Sequence, residues 1–333
     1  MTRQKLLALV ACCFLLLNIV EAQDPIFSQY YSAPLQVNPA FAGNSYAPAF
    51  NLNYRNQWPE LNAYQTYSAS YDQYLDYINS GVGVAIVGDE AGDGILQNIK
   101  VSGIYSYRLR VTEDMFIKFG AEASVVQARL DWDKLLFLDQ LDPENGSISP
   151  NGNPYPSAEV RPDDLTNVYL DMSAGMLAYS KYIYGGFSIK HLNTPNEAFI
   201  GAKENLNEGL PLRYSMHLGG EIPLFQNNNN IKRAFISPNL LWIRQADFGQ
   251  LNVGSYAGLG MFHAGAWYRY SRTNSDAVIL LVGIQKGLFK IGYSYDVTVS
   301  ALNTEVAGAH EISLGIRLRE PEQDINDCLH LFR

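Results

Sequence analysis

Between Tyr46 and Arg319, segment after segment carries apolar residues at every second position, and this period of two constrains the fold more than any other feature. Phe289, Ile291, Tyr293, Tyr295, Val297 and Val299 fall on one face, with Lys290, Gly292, Ser294, Asp296, Thr298 and Ser300 on the other. Ile312, Leu314, Ile316 and Leu318 alternate with Ser313, Gly315, Arg317 and Arg319 in the same way. So do Ile117, Phe119, Ala121 and Ala123 with Lys118, Gly120, Glu122 and Ser124. Successive side chains of an extended chain point to opposite faces, so these segments read as strands with one apolar face. The whole sequence predicts strands near 48–57, 63–74, 80–89, 94–111, 114–131, 167–179, 182–193, 211–222, 233–245, 249–258, 262–271, 277–286, 289–299 and 308–319. That makes about fourteen, an even number within the range of bacterial barrels. The facing of 233–245 is the least defined, because it holds Pro238 and the apolar run Leu240 to Ile243.

A soluble sandwich also alternates, so loops and composition have to separate the two. After residue 22 no apolar run approaches the roughly 20 residues of a membrane helix, and mean hydropathy is only −0.11. Strands that alternate hide their apolar content from such an average. With the N-terminus on the periplasmic side, odd-numbered connections point outward. The two longest, 132–166 and 194–210, are both odd, whereas Thr112–Asp114, Ser180–Lys181 and Lys286–Leu288 are tight even turns. The short odd connection at Ala246–Phe248 and the moderate even one near Phe225–Arg233 depart from this pattern. Charge also collects on one face: Arg55, Lys100, Arg108, Lys118, Glu122, Arg213, Lys290 and Asp296 are predicted to face a lumen. Tyrosine, present 22 times, suits both membrane–water interfaces. The expected fold is all-β: a transmembrane antiparallel β-barrel over residues 46–319, followed by a tail at 320–333.

The first 22 residues have the form of a signal peptide, with Arg3 and Lys5 before an apolar stretch from Leu6 to Val20 and Ala22 at the cut. A lipoprotein reading at Cys12 is the competitor, weakened by the apolar run that continues past it. Cys328 is then the lone mature cysteine, which supports neither an internal disulfide nor a cysteine metal site. The net charge of −9 and the lack of a basic stripe argue against a nucleic-acid partner.

Residues 23–45 form a different unit. Pro25, Pro34 and Pro39 exclude a helix interior or a central strand. Phe27, Tyr30, Tyr31, Leu35, Val37 and Phe41 are too much apolar mass for a free linker, so this arm must pack against something, and its expected place is filling or capping the barrel's periplasmic mouth. 

Enzymatic motifs are weak. The histidines His191, His217, His263, His310 and His330 are scattered, and neither a zinc-type nor an EF-hand spacing occurs. Asp89–Gly94 reads as a solvated turn and the Ser215/His217 pair as a coincidence of parity. No cofactor and no catalytic residue is predicted. Loop 132–166 opens on Leu135, Leu136, Phe137, Leu138 and Leu141, expected to be buried in a fold over or into the barrel mouth.

The run DPxFSQYY…PLxxNPAFAG, carried by Asp24, Pro25, Phe27, Ser28, Gln29, Tyr30, Tyr31, Pro34, Leu35 and Asn38 to Gly43, resembles the opening signature of the PorP/SprF family. The resemblance extends to LLFLDQLDPENG and to Gly186–Leu192 with Thr194, Pro195 and Asn196. The ending departs from it: family members often close with Cys-Pro and a terminal aromatic, whereas here Leu329 follows Cys328 and Arg333 is last. The resemblance implies a non-enzymatic outer-membrane barrel of the type IX secretion system in Bacteroidota-type Gram-negative cells, serving export or surface anchoring of a cargo such as an adhesin, and in some cases gliding. It implies two sets of partner-binding residues. Asp24, Pro25, Phe27, Gln29, Tyr30, Tyr31, Pro34, Asn38, Pro39 and Phe41 would face a periplasmic ring lipoprotein or an OmpA-like peptidoglycan-binding partner. Leu136, Phe137, Asp139, Asp142, Pro143, His191, Pro195 and Asn196 would face the cargo's C-terminal domain. Outer-membrane lipids would surround the wall. The alternative is a channel for small solutes or ions, with the charged lumen setting selectivity.

Overall fold

The computed structural model describes residues 24–45, 47–142, 144, 146–153, 155–199, 209–225, 234–272, 276–299 and 308–318. The predicted leader, Pro143, the middle of loop 194–210, and the tail with Cys328 lie outside the described residues. The strands are β1 (Ala49–Gln57), β2 (Tyr64–Leu75), β3 (Ser80–Ala91), β4 (Leu96–Arg110), β5 (Phe116–Leu130), β6 (Thr166–Tyr179), β7 (Ile183–Lys190), β8 (Arg213–Gly220), β9 (Ile222–Phe225), β10 (Ala234–Gln245), β11 (Phe248–Leu259), β12 (Phe262–Ser271), β13 (Ala277–Lys286), β14 (Phe289–Thr298) and β15 (Ala309–Arg317). β8 and β9 both pair with β10 and form one interrupted stave, so the described segments make a barrel of fourteen staves. Every pairing is antiparallel, and β1 closes the wall by pairing β2 on one side and β15 on the other: Tyr54 lies opposite both Tyr67 and Ile312. Among the described residues, closure leaves no long sheet edge to recruit a stray strand.

Pro238 fits this wall because of the break. Pairing with β8 starts at Asn239↔Gly219 and pairing with β9 ends at Ile236↔Ile222, so on that side the proline falls between two ladders, while on the other it stands opposite Ser255 of β11. The connections sort by end. Residues 76–79, 111–115, 180–182, 260–261 and 287–288 join strands at one end, the short-turn end, where Gly260 and Gly287 take the left-handed conformation that tight turns need. Loops 131–165 and 191–212 rise from the other, the long-loop end.

The distribution of side chains is inverted relative to a soluble protein. Leu52, Val84, Ile86, Val101, Val125, Leu170, Leu280 and Ile312 all stand on the exposed outer face, while Arg55, Asp72, Lys118, Glu122, Asp171, Arg213, Asp296 and Glu311 are buried inside. Val282 is 59% exposed and Lys118 0%. An apolar outside over a charged inside is what a strand-built membrane span requires, because lipid cannot satisfy polar groups. Exposed aromatics band both ends of this wall: Phe50, Tyr105, Tyr107, Phe262 and Phe289 toward the short turns, and Tyr54, Tyr67, Tyr268 and Tyr270 toward the long loops. Because Val282 sits near the middle of β13, Val282→Arg is expected to weaken assembly by about 2–4 kcal/mol, read as a shift in the urea midpoint of the barrel refolded into lipid. An unchanged midpoint would place that face away from lipid.

Candidate functional site

Inside the wall lies the arm. It is too proline-rich to become a strand, so it folds as three single turns: a 3-10 turn at Tyr30–Ser32, one helical turn at Pro34–Val37 and a second 3-10 turn at Pro39–Phe41. Pro34 and Pro39 stand at the first positions of their turns, where the missing N–H has no partner to lose. Asn38 caps the last turn by accepting from the Ala40 N–H at 2.9 Å. The arm runs from Asp24, beside the long-loop ends of β7 and β8, to Gly43, beside the short-turn end of β2.

One end of the lumen is tied by an alternating chain of charge. Lys100 Nζ lies 3.1 Å from Glu122 and 2.8 Å from Asp171. Asp171 reaches His191 Nδ1 at 3.0 Å, His191 Nε2 reaches Asp24 at 3.0 Å, and Arg213 holds the same Asp24 carboxylate at 2.9 Å. A second cluster surrounds Ser28. Asp296 is shared between Arg55 at 3.0 Å and Arg269 at 2.8 Å, and Arg55 also meets Glu311 at 3.3 Å. The Ser28 hydroxyl donates to Asp296 at 2.6 Å and accepts from both guanidiniums. Glu311 accepts the Ser28 and Gln29 N–H groups at 2.7 and 2.8 Å. Buried charges of this kind are tolerable only when paired and hydrogen-bonded, and the arm supplies part of the pairing.

Apolar contacts fill the space between. Leu35, Ala40, Phe41 and Ala42 pack with Ala85, Ile104, Leu177, Tyr179 and Tyr184. Tyr30 and Val37 pack on Leu241 and Ile243, which explains why β10 is apolar on both faces: one meets the outside and the other meets the arm. Tyr31 stacks on Tyr256 and Trp267 with centroids 5.5 and 5.6 Å apart. Burying a leucine or phenylalanine fully is worth about 1.5–3 kcal/mol, so Leu35 and Phe41 contribute strongly against the entropy cost of ordering the arm. The wall makes room with glycine: a Cβ on Gly120 would lie 2.2 Å from the Ala40 nitrogen, and one on Gly81 2.0 Å from the Ala42 oxygen.

All eight predicted lumen residues face inward. Arg55, Lys100, Glu122, Arg213 and Asp296 belong to the two clusters above. Lys118 donates to the Ala42 carbonyl and to Asn44 at 3.2 Å. Arg108 stacks over Tyr74 at 4.2 Å, and Lys290 lies 5.8 Å from the Tyr31 ring. The predicted arm residues Asp24, Pro25, Phe27, Gln29, Tyr30, Tyr31, Pro34, Asn38, Pro39 and Phe41 are all buried or half-buried. The wall thus takes up contacts that sequence reasoning reserved for a periplasmic partner. Two residues of importance were missed. Ser28 was noted only as part of the signature, and Glu311 shares parity with Ser313, which would have placed it inside.

The loops require corrections. Leu136, Leu138 and Leu141 are exposed, so the expected burial of the loop's apolar run does not hold for them. Phe137 leans on Trp132 at 4.9 Å, and Asp139 is used internally, accepting from Ser157 at 2.9 Å and Ala158 N–H at 2.6 Å. The loop's anchor is the neighbouring 92–95 connection, through Lys134 to the Asp93 carbonyl at 2.6 Å, not the lumen. Asp142 accepts from the Glu144 N–H at 2.9 Å. His191, predicted as a loop contact for cargo, is turned inward and only 4% exposed. Pro195 is buried and Asn196 exposed; the Asn196 carbonyl accepts from Asn167 at 3.0 Å. The Ser215/His217 pair is covered: His217 contacts Asn38 at 3.0 Å and lies against the Phe41 ring.

His191 provides a pH test. Burial disfavours its charged ring, but Asp24 and Asp171 outweigh burial and raise its pKa from 6.5 to about 9. A group whose folded pKa is raised stabilises fully below its unfolded value of about 6.5 and loses that contribution as pH rises through about 9. Wild-type protein is expected to exceed His191→Gln by about 1–3 kcal/mol near pH 6. The gap, read from urea midpoints in lipid, should close above pH 9; a gap that stays constant would mean the ring is neutral throughout. Asp24, Asp171, Glu197, Arg213, Lys190 and Lys100 are the charges around it.

Among solved structures, BamA from Haemophilus ducreyi lacking POTRA domains 1–3 aligns with a TM-score of 0.39 at 9% identity, covering 82% of this chain and 70% of that one. CdiB from Acinetobacter baumannii aligns at 0.43 and 9%, covering 81% and 60%. A triple mutant of Rhodopseudomonas blastica porin aligns at 0.34 and 5%, covering 82% and 99%. No curated protein matches. The family described as "Type IX secretion system membrane protein PorP/SprF" matches residues 19–316. That match spans the arm and the described barrel up to Ile316, one residue short of the end of β15, and the chain belongs to the PorP/SprF family.

Proposed function

We propose that this chain is a non-enzymatic outer-membrane component of the type IX secretion system that aids export or cell-surface anchoring of a secreted cargo such as an adhesin. The single observation that carries this reading, beside family membership, is the filled lumen. With residues 24–45 packed against inward-facing side chains, the barrel offers its rims and outer wall to partners in preference to its interior. The long-loop end would face outward and meet the cargo's C-terminal domain through Leu136, Asp142 and Asn196. The short-turn end would face the periplasmic ring lipoprotein or an OmpA-like peptidoglycan-binding protein. Lipid would cover the apolar belt.

The channel reading loses support for the same reason, since the charged groups that would select ions are paired with one another and with the arm. The test is a pull-down from native outer membranes with a tag in loop 132–166, read by mass spectrometry. Recovery of one large secreted protein together with type IX machinery is expected. Recovery of the barrel alone, with neither cargo nor machinery, would contradict the proposal.

A further inference from the structure

The contacts that hold the arm have a pattern of their own. The arm's backbone hydrogen bonds to backbone are internal, closing its own three turns: Ser32 N–H to Gln29, Asn38 N–H to Pro34 and Ala42 N–H to Pro39 are examples. Among the described residues, none joins the arm as a strand to a stave. Instead, wall side chains address the arm's main chain. Glu311 accepts two successive N–H groups, Asp72 accepts the Gly43 N–H at 2.9 Å, and Ser188 donates to the Val37 carbonyl at 2.6 Å. Ser106 and Lys118 both donate to the Ala42 carbonyl. Side-chain pockets sit between these points: Gln29 between Ser294 and Ser313, Tyr31 against Tyr256 and Trp267, and Asn38 between two wall carbonyls and His217.

Side chains that read another segment's main chain, interspersed with pockets for its side chains, are the construction of a peptide receptor. We propose that the lumen is a peptide-binding site, and that residues 24–45 are its tethered resident ligand, separable from the wall. The ligand class follows from the pockets: a compact, proline-turned peptide with an acidic leading residue, a Ser-Gln pair and adjacent aromatics. It enters from the short-turn mouth with its N-terminal end first, because Gly43 lies at that mouth and Asp24 beneath the long loops. Vacating the site opens a passage lined by charged and hydroxyl side chains, with apolar patches at Ile104, Leu177, Leu241 and Ile243 where the arm had packed.

The test uses the barrel lacking residues 24–45, refolded into lipid, with the synthetic 24–45 peptide and a scrambled version as probes. Trp267 fluorescence reads occupancy, and planar-bilayer conductance reads the passage. Saturable binding of the native peptide, at least tenfold tighter than the scrambled one, with block of the conductance is expected. Equal binding of both peptides, or none to a heat-modifiable barrel, would overturn the proposal. Should the shortened barrel not assemble, the full chain with a protease site inserted after Asn44 is cut after assembly. Displacement of the cut arm by excess native peptide but not by the scrambled peptide then supports the proposal. An arm that no peptide displaces, or that leaves and never rebinds, overturns it.

Discussion

Asp296→Leu is expected to be the most damaging single change in the interior, costing about 3–5 kcal/mol. Its carboxylate neutralises two guanidiniums at once, Arg55 at 3.0 Å and Arg269 at 2.8 Å, and also accepts from Ser28. All of these groups are buried, so water is not at hand to replace the lost partner. Glu311 meets only Arg55 among the two arginines and is already occupied by two arm N–H groups. The measurement is the urea midpoint of the lipid-refolded barrel, with Glu60→Ala on the exposed rim as control. A loss below about 1 kcal/mol would mean that the cluster contributes little to the fold. A double-mutant cycle with Ser28→Ala should show coupling, because the two groups share both arginines.

Gly120→Leu should separate the arm from the wall. The new Cβ would lie 2.2 Å from the Ala40 nitrogen, and the obstacle is backbone, which cannot rotate aside. The Pro39–Phe41 turn must lift, and the burial of Leu35 and Phe41 is lost with it. Overpacking usually costs about 1–3 kcal/mol, and the upper end applies here because the three nearest atoms all belong to the arm's backbone. The barrel itself should remain heat-modifiable, while the arm becomes open to protease in intact membranes. Gly103→Leu is the control, since Gly103 faces outward with nothing nearer than 4.0 Å. Equal protection of the arm in both variants would show that it does not lie against β5.

The barrel was legible because alternation is local: each strand declares its two faces, and fourteen such segments admit few arrangements. The lumen charges were legible for the same reason, since parity alone sets Lys118, Glu122 and Asp296 inside. What parity cannot reveal is which partner an inward residue meets. The double apolar faces of Leu240–Ile243 looked like an ambiguous strand, and their meaning depends on Tyr30 and Val37, about two hundred residues earlier in sequence. His191 was similarly opaque. It follows β7 with φ near +61°, and that backbone turn sends the ring inward to Asp24 and Asp171 where the sequence suggested a surface loop. Leu136, Leu138 and Leu141 misled in the opposite direction, because apolar residues in a loop carry no period that fixes what covers them.

The most direct measurement is a cysteine cross-link between the arm and the wall. Ser106 donates to the Ala42 carbonyl at 2.7 Å from inside β4, while Tyr105, next to it on the same strand, is exposed on the outer face. In a Cys328→Ser background, Ala42→Cys is paired with either Ser106→Cys or Tyr105→Cys, oxidised in native membranes and mapped by mass spectrometry. An arm inside the barrel gives the 42–106 link and not the 42–105 link. Formation of neither, or of both equally, would contradict an arm seated in the lumen.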